Sequence, residues 1–97
     1  MAKNGMRPVH PGEILREDFL APLNMSPHAL SVALRVPASR INDIVLERRG
    51  VTPDTAQRLA RYFGGDAQSW LNLQAMYDLK TLPTRVRIEN EIAPRAA

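Results

Sequence analysis

The feature that most constrains the fold is a helix that breaks at Arg35-Val36-Pro37 and restarts at once. Before the break, Leu30, Ala33 and Leu34 recur at helical spacing. The proline in the break disfavours helical backbone at the residue before it, and a second short helix then spans about 38–46. Two short helices joined by a tight turn predict a helix-turn-helix, in which the second helix points where a continuous helix could not.

Start and stop signals divide the chain into five short helices. Four starts are marked by a capping side chain followed by proline or by an apolar run, and they are His10-Pro11, Ser26-Pro27, Thr52-Pro53 and Asp66. The remaining start, at about Ala38, follows the break at Pro37. The stop signals are Pro22, Gly64-Gly65 and Pro83. With 97 residues the chain is long enough for a single core. An all-α domain is therefore predicted, followed by a segment that fits a short strand, a frayed helix or a tail.

Composition excludes several classes of protein. The chain has no cysteine, so it holds neither disulfides nor a thiolate metal site, and its net charge of +3 only hints at an anionic partner. No apolar run could span a bilayer, and the N-terminus lacks the apolar core of a signal peptide, so a cytoplasmic protein without membrane contact is expected. His10 and His28 lie far apart without ligand-spaced carboxylates. We therefore expect no metal, no cofactor and no catalytic site.

The second helix of the predicted pair has two faces. Ile41, Ile44 and Val45 would hold it on the domain, and the opposite face is polar. The major groove of DNA admits one helix, and polar side chains on that helix can reach base edges. In this interpretation Arg40 donates to guanine, Asn42 pairs with adenine, Asp43 accepts from cytosine, Ser39 contacts a base or a phosphate, and Arg48 and Arg49 bind phosphates.

Plainer interpretations remain open for these side chains. Arg40 and Asp43 stand at i, i+3 and could pair with each other, and Asn42 could be ordinary surface. Asp43 and Glu47 would repel phosphate. The outer faces of helices are often polar without any function, so the pattern alone does not distinguish DNA binding from a helical adaptor.

Other prominent residues are expected to have structural roles. Arg58 and Arg61 are predicted to be solvated on the fourth helix. His10 is expected to cap or to pack at the first helix, and Trp70 to lie in the core or at a dimer contact.

Four segments of the sequence resemble one known family. They are "HPGEILREDFLAPLNMS", "VPASRINDIV", "RRGVTPDTAQRLARYFG" and "WLNLQAMYDL", which together span about residues 10–79. In order and spacing they resemble the HigA-type antitoxins of the lambda-repressor-like (XRE) helix-turn-helix family. The resemblance implies a five-helix domain and a partner toxin of the RelE-like fold, a ribosome-dependent mRNA endonuclease. It also implies repression of the protein's own operon by a homodimer on palindromic double-stranded operator DNA.

The resemblance implies which residues of this chain occupy the positions that contact DNA in the family. The recognition positions that the resemblance implies are Ala38, Ser39, Arg40, Asn42 and Asp43, and the start of the preceding helix is Ser26, Pro27 and His28. Many related repressors have glutamine at the position of Pro27, so Ser26 or His28 would have to bind phosphate instead. Many have glycine at Arg35, so this residue must adopt an unusual backbone angle or reshape the turn.

The predicted organisation is a flexible arm (1–9), a helix-turn-helix domain (10–80) and a C-terminal tail (81–97) that contributes to dimerisation. Predicted dimer contacts are Trp70, Tyr77, Val86 and Ile88. The predicted function is an antitoxin that neutralises its toxin and represses its own operon. The alternative is a protein-interaction module that neutralises a partner without reading DNA.

Overall fold

A computed structural model describes residues 7–96, and this part of the chain forms six helices and no strand. The first, α1, runs continuously as an α-helix (Pro11–Ile14), a π-helical stretch (Leu15–Leu20) and a final α turn (Ala21–Leu23). The others are α2 (Pro27–Leu34), α3 (Ala38–Val45), α4 (Pro53–Phe63), α5 (Ala67–Thr81) and α6 (Arg85–Glu91). The prediction of an all-α fold is confirmed.

Local capping determines where the helices begin. The side chains of Ser26, Thr52 and Asp66 each accept a hydrogen bond from the backbone N–H three residues further on, at 3.0, 3.4 and 2.7 Å. Each cap satisfies one of the amide groups that a helix start leaves unpaired. The predicted starts of α2, α4 and α5 are confirmed.

The end of α1 differs from the prediction. The helix continues through Pro22 and stops at Asn24, which adopts the left-handed conformation with φ of 52°. A proline ring normally clashes with the carbonyl four residues back. Here the preceding stretch is π-helical, so its backbone amides bond to carbonyls five residues back instead of four. The carbonyl four residues before Pro22 is therefore displaced from its α-helical position, and the ring is accommodated.

One apolar core lies among α1 to α5. Its buried members are Leu15, Leu20, Leu30, Leu34, Ile41, Ile44, Val45, Val51, Ala56, Leu59 and Trp70. The ring of Phe19 packs between those of Phe63 and Trp70, with centroid distances of 4.9 and 5.3 Å. Burial of these side chains is the main favourable contribution to folding.

The predicted count of five helices is wrong, because a sixth helix, α6, forms after Pro83. Of the strand, the helix and the tail that the sequence left open for this segment, the structure shows a helix. The alternation of Val86 and Ile88 with arginines was too short to distinguish a strand from a helix. The Ile88 amide donates to the Thr84 carbonyl at 2.9 Å, which is helical bonding. No residue of α6 is buried.

Several predictions concern the ends of the chain or possible ligands. Most of the predicted arm (1–9) lies outside the described residues, which begin at Arg7. Arg7 forms an ion pair with Glu13 at 2.7 Å. Between residues 7 and 96, no helix is long and apolar enough to cross a membrane. Over the same range, no three histidine, aspartate or glutamate side chains are grouped as metal ligands.

Candidate nucleic-acid interface

The turn between α2 and α3 depends on one left-handed residue. Arg35 ends α2 with φ of 60° and ψ of 47°. The Arg35 amide donates to the Val32 carbonyl at 3.2 Å, and the Val36 amide donates to the Ser31 carbonyl at 3.1 Å. A left-handed conformation costs a residue with a side chain roughly 1–2 kcal/mol. Of the two possibilities that the sequence left for Arg35, the structure shows the unusual backbone angle.

The second helix of the pair, α3, is attached through its inner face. Ile41 and Ile44 are fully buried and Val45 is nearly so. The Arg16 guanidinium, from α1, donates from Nη1 to the Val45 carbonyl at 2.5 Å. This bond satisfies one of the free carbonyls at the C-terminal end of α3.

Gly12 brings α1 and α3 into close contact. A Cβ added at Gly12 would overlap the carbonyl oxygen of Ile44 and lie 2.8 Å from its carbon. No residue larger than glycine fits there without movement of the backbone. The C-terminal half of α3 is thereby placed against the start of α1.

The outward face of α3 presents open polar groups at its N-terminal end. Ala38, Ser39 and Asn42 are exposed, and the side chains of Ser39 and Asn42 make no hydrogen bond with any residue from 7 to 96. These groups are therefore free to bond to base edges. Their roles in base recognition stay predictions.

Arg40 does not extend freely into solvent. Its side chain is 30 % exposed, and Nη1 forms an ion pair with Asp54 Oδ2 of α4 at 2.6 Å. The alternative i, i+3 pairing with Asp43 does not occur. The Arg40 side chain instead reaches the first turn of α4, where Asp54 lies.

Asp43 instead pairs with the arginines of the loop after α3. It accepts from Arg48 at 2.9 Å and lies 3.9 Å from the guanidinium of Arg49. Both arginines remain largely exposed, at 62 % and 46 % of their side-chain surface. The carboxylate lowers the positive potential that they would offer to phosphate, and their predicted phosphate binding stays a prediction.

At the start of α2, Ser26 and His28 take different positions. The Ser26 hydroxyl is used as the N-cap and accepts from the Ala29 amide at 3.0 Å. The His28 side chain is exposed. The imidazole is therefore the freer of the two groups for phosphate.

Three residues around the interface were not predicted from the sequence, namely Arg16, Asp54 and Arg58. Arg58 was expected to be solvated, but its Nη1 donates to the Leu34 carbonyl at 2.9 Å and its Nε to Asp54 at 2.9 Å. The i, i+4 spacing of Asp54 and Arg58 could have suggested their pairing. Nothing local could have indicated the bond from Arg58 to α2, or that from Arg16 to α3.

His10 has the structural role that was expected. Its Nδ1 accepts the Gly12 amide at 2.8 Å, and its ring meets that of Tyr77 edge-on with centroids 4.8 Å apart. Burial lowers the pKa of His10 below its ordinary value, although Glu47 and Asp78 oppose this effect. The neutral imidazole is the form that can accept the amide.

The four predicted dimer residues differ in how much surface they offer. Trp70 is 6 % exposed and belongs to the core, and Tyr77 is half-buried against His10. Val86 and Ile88 are 60 % and 40 % exposed. Further exposed apolar side chains in this C-terminal region are Met76, Leu79, Leu82 and Ile92. A surface for a second protomer is therefore available at the end of α5 and on α6.

The fold and this site define a class of protein. Two short helices meet at a tight turn, and the second is anchored by aliphatic residues while open polar groups face outward. This geometry is that of a helix-turn-helix protein.

Comparison with known proteins identifies the family, although no family model matches the chain. Virulence-associated protein I of Dichelobacter nodosus is 60% identical over 92 residues, covering 95% of this chain and 85% of that protein. Antitoxin HigA-1 of Vibrio cholerae serotype O1 is 35% identical over 92 residues, covering 94% and 84%. The structure of the Pseudomonas aeruginosa antitoxin HigA with the higBA promoter has a TM-score of 0.90 at 51% identity, covering 93% of this chain and all of that one. The chain belongs to the HigA-type antitoxins of the lambda-repressor-like (XRE) helix-turn-helix family.

Proposed function

We propose that this protein is an antitoxin that binds its own operator as a dimer and represses transcription of its operon. The observation that carries the proposal is the outward face of α3, where Ser39 and Asn42 are open while the opposite side of the helix is buried. The similarity to a HigA structure that contains promoter DNA supports the same conclusion.

The proposed recognition uses two kinds of contact. Ala38, Ser39 and Asn42 would meet base edges in the major groove, where a matched hydrogen-bonding pair contributes about 1–3 kcal/mol of discrimination. Arg40 would join them through the part of its guanidinium that Asp54 leaves free. Asp43 is less available, because it is bound to Arg48.

Phosphate contacts would supply affinity without sequence information. The groups proposed for them are the Arg48 and Arg49 guanidinium groups, together with Ser26 and His28 at the start of α2. Such contacts make the affinity fall as salt rises, because bound counterions are released from DNA.

A homodimer would place two copies of α3 in successive major grooves, about 34 Å apart. We propose that residues 81–97 contribute to the dimer, because Val86, Ile88 and Ile92 are exposed apolar side chains on or next to a helix without buried residues. A large exposed apolar patch is typical of an interaction site. A variant that ends at Leu82 and still forms a stable dimer would remove this segment from the interface.

The proposed partner besides DNA is a toxin of the RelE-like fold, an mRNA endonuclease that the antitoxin neutralises. Support comes from the similarity to HigA antitoxins and from the similarity to a structure with a higBA promoter. We propose no catalytic role for the chain itself.

The test is a mobility-shift assay on the DNA upstream of the protein's own gene, with and without the product of the neighbouring gene. Asn42→Ala and Arg40→Ala should weaken the shift and leave toxin binding intact. Asn72→Ala, on the exposed side of α5, is the matched control and should change neither. Undiminished operator binding by both interface variants, or no operator binding at all, would favour the adaptor that neutralises a partner without reading DNA.

A further inference from the structure

Arg40 is held by a residue of a different helix. Its side chain reaches from α3 to the first turn of α4, where Nη1 lies 2.6 Å from Asp54 Oδ2. The Arg40 side chain is only 30 % exposed, whereas that of Asp54 is 55 % exposed. The pair therefore joins the helix of the proposed DNA-binding face to α4.

Asp54 is itself fixed from a second direction. Arg58 donates from Nε to the same Oδ2 at 2.9 Å and from Nη1 to the Leu34 carbonyl at 2.9 Å. Isolated ion pairs on a surface are often loose, but here one carboxylate is bonded to two guanidinium groups, one of which is anchored on α2. The two groups, Arg58 and then Arg40, hold the pKa of Asp54 below its ordinary value, so it is ionised at neutral pH.

The orientation of Arg40 leaves one edge of its guanidinium open. Nη1 is used by Asp54, whereas Nε and Nη2 make no hydrogen bond with any residue between 7 and 96. These two N–H groups are parallel donors, and parallel donors match the O6 and N7 acceptors of guanine in the major groove.

We propose that Asp54 is a positioning residue that determines specificity, because it fixes Arg40 with its Nε–Nη2 edge ready for a guanine. The proposal rests on the proposed function, in which α3 reads operator DNA. A long side chain that is already ordered in the free protein loses less conformational freedom when it binds its base. Asp54 therefore favours the operator over a sequence that lacks this guanine.

The test measures binding by fluorescence anisotropy to the operator and to duplexes in which single guanines are replaced. The proteins are the wild type, Arg40→Ala, Asp54→Ala and the double variant. In the wild type, replacement of one guanine should weaken binding about tenfold. Arg40→Ala should abolish that penalty. Asp54→Ala should reduce it to roughly threefold, because the side chain must then be ordered on binding, and the double variant should match Arg40→Ala.

Asp18→Ala is the matched control. Asp18 is an exposed carboxylate of α1 that makes no ion pair within the described residues. Its loss changes the net charge by the same amount as the loss of Asp54 but removes no contact to Arg40. This variant should keep the full tenfold penalty. Asp54→Asn, which keeps a polar group at the start of α4, provides a second variant if Asp54→Ala melts below the assay temperature.

Three results would overturn the inference. The first is an unchanged guanine penalty in the Asp54 variants, and the second is an equal loss of affinity for every duplex, which would indicate a purely structural role. The third is a full penalty in Arg40→Ala, which would mean that Arg40 reads no base. A wild-type protein that shows no preference for the operator would instead refute the proposed function.

Discussion

Replacement of Gly12 by alanine tests how α1 positions α3. An alanine inside a helix is normally more favourable than glycine by about 1 kcal/mol. Here the added Cβ would overlap the carbonyl oxygen of Ile44 and lie 3.0 Å from Nδ1 of His10. Overpacking of this kind costs about 1–3 kcal/mol, and loss of the His10 cap costs about 1 kcal/mol more.

The net expectation for Gly12→Ala is a destabilisation of about 1–3 kcal/mol. For a domain of this size each 1 kcal/mol lowers Tm by roughly 4–8 °C, so a fall of roughly 5–20 °C is expected in a calorimetric melt. Gly65→Ala is the comparison, because its Cβ would meet nothing within 4 Å and only its φ of +81° is unfavourable. A Gly12→Ala protein as stable as the wild type would refute the close contact between α1 and α3.

Three further predictions concern His10, Arg35 and α6. Because the folded pKa of His10 lies below its unfolded value, its protonation favours the unfolded state. The contribution of neutral His10 to the free energy of unfolding should be complete above about pH 6.5 and should be lost as the pH falls through the folded pKa. The variant His10→Asn, which keeps a capping group, should flatten this part of a profile of Tm against pH between pH 5 and 7.5. Arg35→Gly should raise the free energy of unfolding in urea by about 0.5–1 kcal/mol, since it relieves the left-handed strain, and an unchanged or lower value would contradict that explanation. Val86→Asp with Ile88→Asp should give a monomer in light scattering that still melts cooperatively, because both side chains are exposed in the single chain, and its Tm should no longer rise with protein concentration; a persisting dimer would exclude α6 from the interface.

The features that the sequence predicted well are local ones. The caps at Ser26, Thr52 and Asp66 act within three residues, so residue type and spacing were sufficient to place the starts of α2, α4 and α5. The break at Arg35 was equally local.

Contacts between helices could not be predicted in the same way. Arg40 had one possible partner on its own helix, Asp43, but its partner in the structure is Asp54, which is distant in sequence and lies on α4. The contact of Gly12 with Ile44 and the bond from Arg16 to Val45 also depend on how α1 lies against α3. Helical periodicity identifies which face is buried, but it does not indicate which neighbour meets it.

The proposed function requires that the open face of α3 reads a nucleotide sequence. Its most direct test is the ratio of the affinities for the operator and for a scrambled duplex of equal length, measured for the wild type and for Asn42→Ala at one salt concentration. Asn42→Ala should lower this ratio by about tenfold or more while binding to the scrambled duplex is unchanged. A ratio that stays the same in the variant would contradict the claim.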